Sequence, residues 1–70
     1  MYDYIELRLL ILRKYKSLAN FCNEFGINPQ ALSHTMSAGN AMGAKSIETI
    51  AKALGIEEQD YGYYFFAKKQ

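Results

Sequence analysis

Phe21-Cys22-Asn23-Glu24-Phe25-Gly26-Ile27-Asn28-Pro29-Gln30-Ala31-Leu32-Ser33-His34 holds the end of one helix and the start of another, with almost nothing between them. Gly26 suits the left-handed conformation just past a helix, where a Cβ is disfavoured, and Ile27 is placed to fold back onto the helix end. Asn28 then offers a capping side chain, and Pro29 takes the first helical position, where its missing N–H costs nothing. Reading back from Gly26, Leu18, Phe21, Cys22 and Phe25 fall at i, i+3, i+4 and i+7, the spacing of a buried helical face, with Ser17 as its N-cap. Reading forward, a helix runs from Pro29 to about Met36 with Leu32 and Met36 on its inner stripe. One or two residues separate the two helices, so the chain must turn sharply between them.

Further out the chain stays helical. Asp3 to Tyr15 contains no Gly or Pro, and Ile5, Leu9 and Leu12 form one stripe, but Leu10 and Ile11 leave open which face is buried. Ser37 to Ala44, with two glycines and no period, predicts a loop. Ser46 is the expected cap of a fourth helix whose Ile47, Ile50, Ala51 and Leu54 repeat the buried spacing, and Gly55-Ile56 repeats the Gly26-Ile27 stop. Glu57, Glu58 and Asp60 suit the start of a fifth, short helix. In the aromatic run that follows, Tyr61, Tyr64 and Phe65 carry helical spacing while their composition favours a strand. The expected fold class is therefore all-α: four to five short helices and an aromatic C-terminal segment at about 57–70.

A chain of 70 residues makes one domain with a small core, and its one cysteine and single histidine provide neither a disulfide nor a zinc cluster to reinforce it. Oligomerisation is the remaining support. A hydrophobic content of 50% argues against disorder. The first residues lack the pattern of a signal peptide, and the longest apolar run, Leu9 to Leu12, is far short of the ~20 residues that span a bilayer, so a cytoplasmic protein without membrane contact is expected. Catalysis has little support: His34 has no acidic partner at a telling spacing and Cys22 sits on an apolar face. No cofactor and no metal are expected.

On the quoted stretch the chain resembles the Cro/repressor (XRE) helix-turn-helix family of phage and prophage regulators. That family places a small residue on its second helix four before the turn glycine and an apolar residue on its third helix six after it, positions held here by Cys22, Gly26 and Leu32. Ser46 to Ile56 is similar to the family's fourth helix, so the resemblance covers roughly Leu9 to Tyr61 and puts the helix-turn-helix at about 17–36 of a single domain, 1–70. The chain departs from the family at Cys22, where alanine is usual, at Leu18, near which glutamine is common, at Thr35, where an apolar residue is usual, and in a loop after helix 3 that lacks basic residues.

The resemblance implies a DNA-binding transcriptional regulator that lays helix 3 in the major groove and the start of helix 2 over the backbone. Asn28, Gln30, Ser33 and His34 are then the expected base contacts, Gln30 by a bidentate contact to adenine. Without the resemblance these residues read as a solvated polar face. Lys14, Lys16, Ser17, Asn40 and Lys45 are the expected phosphate contacts. A net charge of +1 is meagre for this work, so the positive charge must cluster on one face. The expected partners are a double-stranded DNA operator and a second copy of the chain, with Tyr63, Tyr64, Phe65 and Phe66 as the expected dimer contact, since an exposed aromatic patch is a liability in a monomer. In the alternative for the tail, Tyr61, Tyr64 and Phe65 close the core. In the alternative for function, the chain binds another phage or host regulator, such as a repressor or toxin, through the tail or through helix 1, and does not read DNA.

Overall fold

The computed structural model describes residues 1–68. Among the described residues five α-helices follow one another: α1 (Ile5–Tyr15), α2 (Leu18–Phe25), α3 (Pro29–Ala38), α4 (Ala44–Leu54) and α5 (Tyr61–Phe65), the last preceded by a 3₁₀ turn at Glu58–Asp60. The described residues form no strand, only one isolated antiparallel bridge between Tyr2 and Lys68.

Local chemistry sets most of the boundaries. Ser17 is extended, and its Oγ accepts the Asn20 amide at 3.0 Å, opening α2. Gly26 closes α2 at φ 67°, ψ 30°, and the Ile27 amide reaches back to the Cys22 carbonyl at 2.8 Å. Asn28 Oδ1 accepts the amides of Gln30 and Ala31, with Pro29 at the first helical position of α3. Gly55 ends α4 as Gly26 ends α2, with Ile56 bonded back to Ala51.

Two boundaries differ from the sequence expectation. α3 runs two residues past Met36, because Ser37 and Ala38 continue the helix and Gly39, at φ 72°, supplies the left-handed stop. The loop shrinks accordingly to 40–43, and its Met42 turns into the core. α4 begins before Ser46: Gly43 is its N-cap and makes no side-chain cap bond, so Ser46 lies within the first turn. The amides of that turn have no capping side chain.

The core is built on α1, which packs against α2, α4 and α5. It contributes Tyr4 just before its start, Leu7 and Ile11, met by Phe21 and Cys22 of α2, Leu32 and Met36 of α3, Ile47, Ile50, Ala51 and Leu54 of α4, and Phe65 of α5. The face left open in the sequence is thereby decided. Leu7 and Ile11 are fully buried, whereas Ile5, Leu9 and Leu12 point outward at 59%, 46% and 41% exposure. The reason is tertiary. The inner face carries two polar groups with distant partners: the Tyr4 hydroxyl donates to the Asn40 carbonyl at 2.6 Å, and Lys14 Nζ donates to the Leu54 carbonyl at 2.9 Å. A rotated helix would lose both.

The N-terminal segment joins the two ends of this arrangement. The Tyr2 amide bonds the Gly39 carbonyl at 3.0 Å, and the Asp3 amide bonds the Ala67 carbonyl at 2.7 Å. A Cβ on Gly39 would stand 2.9 Å from the Tyr2 carbonyl oxygen, so glycine is required there both for its φ and for this approach.

Candidate nucleic-acid interface

α3 turns Leu32 and Met36 inward and leaves Gln30 and His34 exposed, with Ser33 half-buried between them. A shallow groove runs along this face, lined by Leu18 and Ala19 from the start of α2 and by Pro29, Gln30, Ser33, His34 and Ser37 from α3. The three residues joining α2 to α3 thus bring the N-terminal end of α2 beside the outward side chains of α3. Ser37 was not singled out in the sequence, where it fell in the expected loop; its spacing of seven from Gln30 is the signal that finds it once α3 is extended.

Asn28 opens α3 and lines the neighbouring cleft with Gly26 and Ile27, and its Oδ1 is committed to the Gln30 and Ala31 amides. Only its Nδ2 remains, so towards a base Asn28 acts as a donor and not as a bidentate reader. The exposed Gln30 keeps both amide groups for the donor–acceptor pair that adenine presents.

The expected phosphate contacts separate. Lys16 is exposed directly before Ser17, and the Ser17 hydroxyl, which accepts from Asn20, retains its own proton for donation. Together they flank the start of α2, where free amides and the helix dipole favour an anion. Lys45, in the first turn of α4, lines a second cleft with Gly26, Ile27 and Asn28 and so adjoins the α2–α3 link. Asn40 spends its backbone carbonyl on Tyr4. Lys14, though exposed, stands apart from the others: its ammonium donates to the last carbonyl of α4, satisfying an orphan acceptor at that helix end.

The aromatic tail divides between core and surface. Phe65 is 1% exposed and fills the core of its own chain, which removes it from the expected dimer contact, and Tyr64 packs half-buried against the same core with Tyr61. Tyr63 and Phe66 stay outside at 56% and 45% exposure, Tyr63 donating to Glu6 at 2.5 Å and Phe66 packing edge-on to Tyr2. Burial pushes the Cys22 thiol up from its usual value, the opposite of what a nucleophilic cysteine needs. Among the described residues no group of three or more metal-ligating side chains comes together, and no helix is long and apolar enough to cross a membrane.

These features define an all-helical protein with a polar outward helix face beside a capped helix start. Comparison with known proteins finds no matching family model and no curated protein similar in sequence.

Proposed function

We propose that this chain is a helix-turn-helix protein of the Cro/repressor type that binds operator DNA as a transcriptional regulator. In this reading α2 and α3 are the helix-turn-helix, α3 enters the major groove, and Gln30, Ser33 and His34 face base edges, with the Asn28 amide as a further donor. Lys16, Ser17 and the free amides opening α2 hold one phosphate; Lys45 and Asn40 serve the backbone at the other edge of the groove. The observation that carries the reading is the shallow groove that sets the start of α2 against Gln30, Ser33 and His34. A helix laid in a major groove and a helix end laid on its backbone need that juxtaposition.

The exposed apolar face of α1 supports the other reading, a protein-binding module. It lies on a different helix from Gln30 and His34, so the two are separable by experiment. Gel-shift titration against the DNA upstream of the chain's own gene, at two salt concentrations, tests DNA binding. Gln30→Ala is expected to lose discrimination at particular base pairs by about 1–3 kcal/mol, and Lys16→Ala to weaken all sequences alike and reduce the salt slope by about 1. If neither variant changes binding, the protein-binding reading replaces this one.

A further inference from the structure

The geometry points to a twofold contact in which the outer face of α1 packs antiparallel against the same face of a second copy of this chain. Ile5, Leu9 and Leu12 stand out from the molecule on the side of α1 opposite the fully buried Leu7 and Ile11. A helix facing solvent ordinarily carries polar residues there. Instead the stripe has the i, i+4, i+7 spacing of a seam between two helices. Tyr63 of α5 extends it sideways, exposed and bonded to Glu6.

Charge selects the occupant and its direction. Glu6 and Arg13 are seven residues apart, about two turns, and so lie on one flank of the stripe, the flank against which Tyr63 rests. Arg8 lies on the other flank. An antiparallel twofold axis beside Leu9 brings like flanks together. Each Glu6 then meets Arg13 of the second copy, the pair forms twice, Leu9 faces Leu9, and Ile5 faces Leu12. A parallel pairing brings opposite flanks together and sets Arg8 beside the second copy's Arg13, two like charges. The antiparallel arrangement also sets Arg8 near Arg8 of the second copy at the axis, one like-charge contact against two Glu6–Arg13 pairs, whereas the parallel one makes its like-charge contact twice and gains no such pair; the charges therefore favour the antiparallel twofold, an isologous interface. The contact uses none of the outward side chains of α3 and stands apart from the DNA reading: its failure shows as a monomeric mass and the other's as lost DNA binding.

The test is made on the whole chain. Sedimentation equilibrium up to about 100 µM is expected to give a dimer mass, and Leu9→Asp, at a site already solvent-facing, to weaken the dimer roughly hundredfold with unchanged helicity and melting in dilute solution. Glu6→Arg and Arg13→Glu, each alone, are expected to weaken it about tenfold, and the double exchange to restore it, since it re-forms both pairs with the signs swapped. In a Cys22→Ala background, Leu9→Cys is expected to cross-link on oxidation, Ile5→Cys alone to remain single, and a mixture of Ile5→Cys with Leu12→Cys to join. A wild-type chain that stays monomeric overturns the proposal and leaves the stripe to a different protein. A dimer indifferent to Leu9→Asp, or one in which Ile5→Cys cross-links as fast as Leu9→Cys, overturns it as well.

Discussion

Lys16 is the one non-glycine residue among those described with a positive φ, 70°. It ends α1, its amide bonding back to Leu12, at a position where glycine is ordinarily preferred. A lysine in that conformation costs on the order of 1–2 kcal/mol, part of which glycine would give back in unfolded-chain entropy. Lys16→Gly is therefore expected to raise stability by roughly 0.5–1 kcal/mol, read from the urea midpoint, while, if the chain binds DNA as proposed, weakening that binding at every sequence. Stability and function would move in opposite directions at one residue, as they do where strain is kept for a purpose. Tyr4 gives a pH dependence. Burial raises its phenol above the ordinary value, neighbouring Tyr2 adds to this, and a Met42 backbone contact works against it. A pKa higher in the folded chain than in the unfolded one means that the contribution is full below pH of about 10 and disappears as pH rises through the folded value. Tyr4→Phe should cost about 1 kcal/mol at neutral pH through the lost bond to Asn40 and should flatten the alkaline decline, measured as melting temperature between pH 8 and 11.

At the scale of elements, the caps can be compared directly. Asn28→Ala is expected to destabilise by about 1 kcal/mol because two amides of α3 lose their acceptor. Ser46→Ala, at the cap expected from sequence, should stay within about 0.5 kcal/mol because Ser46 caps nothing. Chemical denaturation of the two variants side by side checks both. This pair also shows what was legible in the sequence and what was not. Ser17, Gly26, Asn28 with Pro29, and Gly55 act on amides within a few residues, so α2, α3 and the end of α4 could be read locally. Gly43 opens α4 with no side chain to announce it. The orientation of α1 could not be read at all, because Leu9 to Leu12 is apolar on every side and the decision rests with Asn40 and Leu54, 36 and 40 residues from their partners. The same long-range bond hid the commitment of Lys14, which looked in the sequence like any basic residue near a DNA face. Gln30 and His34 were legible as outward residues because Leu32 and Met36 fix the period of α3.

For the molecule as a whole, the longest extent is 30 Å, less than the ~34 Å between successive major-groove faces on one side of DNA. Under the proposed DNA-binding function, reading two half-sites needs two copies. With Lys16 and Lys45 as the proposed cationic contacts of each copy, a dimer would neutralise about four phosphates, and the slope of log affinity against log salt should lie near −3.6; Lys14→Gln should leave it unchanged. A slope that shrinks with Lys14→Gln would return that lysine to the interface. The last consequence concerns α5. It has five residues, too few for stability of its own, and is held by Phe65 in the core with Tyr61 and Tyr64 packed half-buried beside it. Beside it, the Asp3 amide is bonded to Ala67. Hydrogen exchange should therefore find the α5 amides and Asp3 opening together, at a free energy below that of global unfolding, while the α2 and α3 amides wait for the whole chain. Each such opening would bare the core beside α1 and offer 61–66 to any protease present, so cleavage should follow how often Phe65, with Tyr61 and Tyr64, leaves the core.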